Sequence, residues 1–590
     1  MMRKLYLILF LLIFLVQYGC TESEKRPQEF NLVLVETSDV HGAIFNYDFI
    51  NDREAYGSLS KVHTYVNELR EKNNVILMDN GDILQGQPIV YYYNYENISD
   101  QHICSKVMNY MQYDVATIGN HDIEAGHAVY DKLKQEFNFP WLAANAIRKS
   151  DDAPYFDPYK IIIKNGVKIA ILGLITPGIP EWLPEELWSG IEFEDMVISA
   201  KKWIPIIQEK ENPDLLIGLF HSGYDYTYGN VNYDTDKNEN ASKIVAEQVP
   251  GFDVVFIGHD HNTCNEKIKN IDGAEVLILG PTNSARQVVT ADISMKLNSE
   301  GKYNKVITGN VIEMKEFNED SLFNAKFQQE FNEVKDFVSK EVAVFNKSVY
   351  THKALYGPSE FIDLIQQIQL DISNADISIA APLSFNSVIE EGPVYVRDMF
   401  KLYRFENFLY TINLTGEEID KYLEYSFANW FNTMQNENDH LLLFKLNEDG
   451  SPVLSEKTKS YTLANTYYNF DVASGIKYVV DVTKPVNDKV TIYSMSTNES
   501  FYLDSTYRVA VNSYRGNGGG GHLTDGAGLS KEDLIKRRIS STDKDLRYYM
   551  MKWIEEKGIV DPVLKNEWSV YPEKWWMKAK QKDEKLLIKK

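Results

Sequence analysis

Five short runs of Val, Ile and Leu punctuate the N-terminal half of the chain: Leu32–Glu36, Val75–Met78, Val115–Gly119, Leu215–Phe220 and Val254–Gly258. Runs that are apolar throughout, and not merely at alternate positions, predict strands buried on both faces. Between the first two, Leu59, Val62, Val66 and Leu69 recur at three- and four-residue spacing in a polar background, which predicts an amphipathic helix. Strand, helix and strand make a β-α-β unit, so this half is read as α/β with helices covering a sheet. From Lys315 to Lys347, Phe323, Phe327, Phe331, Val334 and Phe337 repeat at helical spacing in a charged segment, predicting a single helix between two domains. Residues 348–572 mix helical and strand patterns and carry a Gly-rich stretch, Gly516–Gly521. The lysine-rich tail, 573–590, is expected to be a solvated terminal helix.

Length changes this picture only by requiring more than one core, since 590 residues exceed what a single core supports. The net charge of -24 argues against gripping a long nucleic acid, which needs phosphates neutralised. A small phosphate stays open as a ligand if positive charge is concentrated locally, and a metal ion is the usual device. The three cysteines, Cys20, Cys104 and Cys264, have no disulfide or zinc-knuckle pattern; Cys104 and Cys264 are expected as small buried hydrophobes. Met1-Met2-Arg3-Lys4 followed by the apolar run Leu5–Val16 suits a signal peptide over residues 1–20. The break Gln17-Tyr18-Gly19 before Cys20 resembles a lipoprotein signal. The expectation is a protein of the periplasm or cell envelope, lipid-anchored at Cys20, with no other membrane contact and no protein partner.

Each of the five runs is followed at once by polar residues of metal-ligating type. They are Thr37-Ser38-Asp39-Val40-His41-Gly42, Asp79-Asn80-Gly81-Asp82, Gly119-Asn120-His121-Asp122, His221-Ser222-Gly223 and Gly258-His259-Asp260-His261. Ligands of open α/β sheets bind beyond the carboxyl ends of the strands, so the five clusters are expected to converge on one site. A lone Asp-x-His is usually a turn; five clusters in this setting are not five turns. Asp39, His41, Asp82, Asn120, His221, His259 and His261 combine hard oxygens with imidazoles and contain no thiolate. That set suits divalent zinc, manganese or iron and not calcium. Seven ligands exceed the needs of one catalytic ion, and two ions sharing one carboxylate fit. His63, His102, His127, His352, His440 and His522 have no such context and are expected as ordinary paired or surface histidines.

These blocks resemble the calcineurin-like metallophosphoesterases, and from about Phe30 to Pro572 the chain is similar to the two-domain bacterial 5'-nucleotidase family, which includes 2',3'-cyclic-nucleotide 2'-phosphodiesterases with 3'-nucleotidase activity. The resemblance implies a four-layer metallophosphoesterase β-sandwich with flanking helices over residues 29–314, a linker helix over 315–347, and a second, α+β, substrate-binding domain over 348–572. It implies that Asp39, His41, Asp82 and His261 hold one ion, and Asp82, Asn120, His221 and His259 the other, with Asn120 also facing substrate. His121 is then the catalytic histidine, oriented by Glu124, although Glu124 also reads as a first-turn helix acid favoured by the dipole. In the second domain a nucleobase lies between two aromatic rings, matched here by Tyr468 in Tyr468-Asn469-Phe470-Asp471 and by Tyr514 in Asn512-Ser513-Tyr514-Arg515. Phe470 is the alternative to Tyr468, and strand packing the alternative for both. Ala380–Asn386 lacks the arginines that strict 5'-nucleotidases carry there, which favours cyclic and 3'-nucleotides. A 5'-nucleotidase resembling UDP-sugar hydrolases, and a non-catalytic surface lipoprotein that binds nucleotides, are the competing readings; the full ligand set counts against the second.

Overall fold

A computed structural model describes residues 26–228, 231–455 and 459–588. The signal-like segment 1–20 and its Cys20 lie outside the described residues. In chain order the first domain contains β1 (Glu29–Thr37), α1 (Leu59–Arg70), β2 (Asn74–Asp79), β3 (Val115–Thr117), α2 (Asn120–Glu124), β4 (Trp141–Leu142), β5 (Tyr159–Lys164), β6 (Val167–Ile175), α3 (Ile179–Trp182), α4 (Met196–Glu211), β7 (Leu215–His221), β8 (Val254–Ile257), β9 (Cys264–Lys269), β10 (Glu275–Gly280), β11 (Gln287–Leu297) and β12 (Tyr303–Glu313). They form two six-stranded sheets, ordered β12-β11-β1-β2-β3-β4 and β9-β10-β8-β7-β6-β5.

Alternation along the strands builds the layers. Leu32 and Leu34 of β1 and Ile76 and Met78 of β2 meet Ile169 and Ile171 of β6, Ile217 and Leu219 of β7, and Val254 and Phe256 of β8 in a core between the sheets. Val33, Val35, Val75 and Leu77 point the other way, onto Leu59, Val62 and Val66 of α1. Ala170, Leu172, Leu216 and Val255 cover the outer face of the second sheet against Met196, Ala200, Ile204 and Ile207 of α4. The result is helix, sheet, sheet, helix: both faces of each sheet are buried, which is why the strands read as unbroken apolar runs. β1, β2 and β3 are mutually parallel, as are β6, β7 and β8, so within each sheet their carboxyl ends share one edge. Cys104 and Cys264 are free and buried, as their apolar settings predict.

The segment 315–347 is not one helix. It forms α5 (Ser321–Lys326) and α6 (Gln328–Val338), broken at Phe327, whose φ of -106° and ψ of 18° leave the helical region. Phe323, Phe327, Val334 and Val338 pack into the first domain. The β-branched stretch Glu341–Phe345 then becomes β13 and pairs inside the second domain. That domain continues with α7 (Glu360–Ser373), β14 (Ile377–Ala380), β15 (Leu409–Thr415), α8 (Gly416–Ala428), β16 (Val472–Ser474), β17 (Thr506–Asn512), α9 (Ser513–Gly516), β18 (Arg538–Ser541), α10 (Leu546–Lys557) and α11 (Glu573–Leu587). Its five-stranded mixed sheet runs β16-β14-β17-β15-β18.

The terminal helix is docked, correcting the expectation of a solvated tail. Ala579, Asp583 and Leu587 of α11 are buried, and Asp583 accepts from the backbone amides of Leu441 and Leu442 at 2.8 and 2.9 Å and pairs with His440 at 2.5 Å. Lys574 and Lys578 reach Glu437. The two domains meet through Tyr91, which joins the core of the second domain, and through Arg397 on Asp52 at 2.8 Å and Lys531 on Glu181. Among the described residues no helix is long and apolar enough to cross a membrane.

Candidate metal centre and base-binding cleft

All five strand-end clusters converge. Asp39 and His41 follow β1, Asp82 follows β2, Asn120 opens α2 after β3, His221 ends β7, and His259 and His261 follow β8. The loops are tied to one another: the Asp39 amide donates to Gly81 O at 2.9 Å and the His41 amide to Asp82 O at 2.9 Å. Five of the seven candidate donors, Asp39, His41, Asp82, His259 and His261, have φ between 50° and 72°. Left-handed backbone is unfavourable for residues with a Cβ, and such outliers persist where the surroundings over-determine them. Gly119 allows a close approach, since a Cβ there would run into the Asp82 carboxylate.

The donors fall into two groups, Asp39 with His41 and His261, and Asp82 with His221 and His259. In the first, His41 Nδ1 donates to Gln85 O at 2.9 Å, leaving Nε2 bare; it lies 3.0 Å from His261 Nε2, which is 3.2 Å from Asp39 Oδ1. In the second, His221 Nδ1 donates to Asn80 O at 2.6 Å, so the bare Nε2 faces Asp82 Oδ2 at 3.2 Å and Asn120 Oδ1 at 3.1 Å. His259 Nδ1 is 2.8 Å from the same Asn120 oxygen. His261 Nδ1 accepts from the Asn283 amide at 3.0 Å, so its Nε2 carries the ring hydrogen toward Asp39. In the second group acceptors face acceptors, an arrangement that positive charge relieves. Burial pulls the His221 imidazole down, yet Asp82 and Asp39 outweigh it and raise it to about 9, the same demand expressed as a proton. The buried carboxylates, amide oxygen and bare imidazole nitrogens fit a pair of divalent cations.

His121 stands beside this pair. Its amide donates to Asp82 Oδ1 at 2.8 Å, its ring centroid is 5.5 Å from that of His41, and its Nδ1 lies 2.5 Å from Glu124 Oε2. Burial opposes the charged imidazole, but the Asp82 and Glu124 carboxylates raise it to about 10. The histidines without motif context are engaged elsewhere: His63 with Asp320, His102 with Asn94, His127 with Ser189 O, His352 with Glu584, and His522 with Gly520 O.

Three supporting residues escaped the sequence reading. Asp122 accepts from the amides of Asp82, Ile83, Leu84 and Gly119 at 2.8 to 3.0 Å and so holds the Asp82 and Asn120 loops together. Its place in Gly-Asn-His-Asp was the available signal. Trp182 stacks on His259, centroids 5.6 Å apart at 20°, and Glu239 accepts from His259 Nε2 at 2.8 Å. Neither stands in a motif.

In the second domain Tyr468 and Tyr514 are half-buried on two loops that one arginine joins. Arg515 donates from Nε to Asp471 Oδ2 at 2.5 Å, from Nη2 to Tyr468 O at 2.8 Å, and from Nη1 to Asn469 Oδ1 and Gly519 O at 3.1 Å. Asp471 also accepts from Tyr422 Oη at 2.6 Å. Phe470 is fully buried and stacks on Trp430 at 5.3 Å and 14°, so of the two candidates only Tyr468 is open to a ligand. Gly519 packs beneath the Tyr514 ring, where a Cβ would collide with it. Burial, with Tyr468 and Glu239 adding and Arg515 opposing, pushes the Tyr514 phenol up. The two halves therefore adjoin: α3, carrying Trp182, packs on α9, carrying Tyr514.

Residues 32–263 match the calcineurin-like phosphoesterase family, and residues 339–525 match the 5'-nucleotidase C-terminal domain. The chain is 26% identical to the trifunctional nucleotide phosphoesterase protein YfkN of Bacillus subtilis over 93% of its own length, but spans only 39% of that protein. It is 25% identical to the 2',3'-cyclic-nucleotide 2'-phosphodiesterase/3'-nucleotidase of Salmonella typhimurium, covering 92% of this chain and 89% of the relative. In fold it is similar to a Staphylococcus aureus protein described as a 5'-nucleotidase and solved with α-ketoglutarate, with a TM-score of 0.75 over 92% of this chain and 99% of that one, at 20% identity.

Proposed function

Since the chain belongs to the metallophosphoesterases that join a calcineurin-like domain to a 5'-nucleotidase C-terminal domain, and is a metal-dependent phosphoester hydrolase, we propose that it hydrolyses 2',3'-cyclic nucleotides and 3'-nucleotides to nucleosides and phosphate. The observation that carries this reading is the adjacency of two groups of metal-ligating side chains to a pair of loops presenting Tyr468 and Tyr514. Asp39, His41, Asp82 and His261 would hold one ion and Asp82, Asn120, His221 and His259 the other, zinc or manganese being the natural choices. When bound, such a pair supplies an activated water and neutralises charge on the phosphoryl oxygens.

The chain's own groups do the rest. Glu124 holds His121 Nδ1, which leaves Nε2 to donate a proton to the leaving ester oxygen. Water attacks phosphorus, the P–O2' bond of the cyclic ester breaks, and the 2'-oxygen leaves with that proton; a second hydrolysis breaks P–O3'. Tyr468 and Tyr514 hold the base, each stack contributing ~1 to 3 kcal/mol with little regard to its identity. The absence of arginine from Ala380–Asn386 favours cyclic and 3'-esters over 5'-nucleotides. The leader-like segment ending at Cys20 supports a lipid-anchored position outside the cytoplasm. Metal-loaded protein assayed against 2',3'-cyclic AMP, 3'-AMP and 5'-AMP is expected to turn over the first two faster; a dominant rate on 5'-AMP would reverse the substrate assignment.

A further inference from the structure

We propose that Glu239 is a positioning residue for His259, fixing which ring nitrogen faces the Asp82 half of the metal centre. The proposal rests on the two-metal reading above and goes beyond it. Glu239 Oε1 takes the His259 Nε2 hydrogen at 2.8 Å, and the nitrogen left bare, Nδ1, is the one 2.8 Å from Asn120 Oδ1. Without that acceptor the imidazole is free to carry its hydrogen on Nδ1, where it would donate to Asn120 Oδ1 and withdraw the lone pair from the site. Carboxylates that accept from a metal-facing imidazole fix its tautomer and raise its basicity.

The loop is built to deliver this carboxylate. Glu239 lies between Asn238 and Asn240, 3% and 2% exposed. Asn238 donates to Tyr226 O at 2.9 Å, while Asn240 accepts from the Gly223 amide at 3.1 Å and donates to Asp225 O at 3.2 Å. The Glu239 carbonyl itself accepts from Thr176 Oγ1 at 3.0 Å and Ser222 Oγ at 2.8 Å. Five side-chain hydrogen bonds thus immobilise the backbone around a glutamate whose side chain is still 31% exposed. Trp182 stacks on the ring and completes its setting, so His259 can neither tilt nor swap nitrogens cheaply. A glutamate serving only solubility needs none of this.

The test uses the full chain and reads metal binding, not turnover alone. Zinc affinities of wild type, Glu239→Ala and Glu239→Gln are measured by competition with a chromophoric chelator, together with thermal unfolding of the metal-free proteins. Glu239→Ala is expected to weaken one of the two sites by ~10- to 100-fold and leave the other within about 2-fold, with the metal-free unfolding midpoint unchanged. Glu239→Gln, which keeps an acceptor oxygen, should lose less, and proton NMR of the zinc-loaded Gln variant should retain the His259 Nε2–H signal that the Ala variant lacks. Unchanged affinity at both sites, or equal loss at both with a lowered midpoint, would overturn the proposal. A wild type that takes up no zinc would instead overturn the two-metal reading.

Discussion

The proposed metal half and the proposed base half of the cleft are held by opposite means. On the metal side the backbone is strained: five donors sit in left-handed conformations costing roughly 1 to 2 kcal/mol each, and the loops that force them there are locked by Asp122 and by main-chain hydrogen bonds between strand ends. On the base side neither Tyr468 nor Tyr514 has positive φ, and the two loops are joined through one buried guanidinium, Arg515 on Asp471. Charged donors must be held against mutual repulsion, which takes many independent constraints. Two aromatic faces need only a gap of the right width. Changes on the first side should therefore destroy chemistry, and changes on the second should weaken binding.

The sharpest attempt to break this contrast is Asp82→Asn, which removes the carboxylate both donor groups share in the proposed scheme. Turnover should fall by at least ~10³-fold with loss of bound metal, and exhaustive chelation of the wild type should do the same. Full activity after chelation would contradict the account. His121→Ala should come next, cutting kcat by ~10²- to 10⁴-fold while metal content measured by atomic absorption stays at the wild-type level. If metal and activity vanish together, His121 is a ligand. Tyr468→Ala belongs to the other half and should raise the nucleotide KM by about 5- to 100-fold with kcat nearly constant. The smallest functional effect is expected two residues along the same loop, at Phe470→Leu. This should lower stability in denaturant titrations by about 1 to 3 kcal/mol and leave KM alone, because Phe470 packs on Trp430 in the core.

How legible each half is in the sequence follows from the same physics. β1, β2 and β7 contain the predicted apolar runs and β8 all but the final Gly258 of its run, since strands covered on both faces leave no polar alternation to confuse them. The donors are readable because only a few residue types coordinate metals and they stand at fixed offsets from those strand ends. Asp122, Trp182, Glu239 and Arg515 act through contacts between loops far apart in sequence, so no periodicity marks them. The single helix expected over 315–347 failed because its phenylalanine spacing continues across Phe327, where the backbone leaves the helix. The lysine-rich tail misled in the opposite direction, its buried face resting on Asp583, a charged residue satisfied by two amides and a histidine.

The central claim is that one half performs the chemistry and the other recognises the base, and Tyr514→Ala tests it most directly. Steady-state kinetics with 2',3'-cyclic AMP and with bis-p-nitrophenyl phosphate, which has no base to place between the rings, separate the two roles. The account predicts a KM for the cyclic nucleotide raised by ~5- to 100-fold and hydrolysis of the generic ester within about 2-fold of wild type. Equal losses on both substrates, or an unchanged KM for the nucleotide, would contradict it.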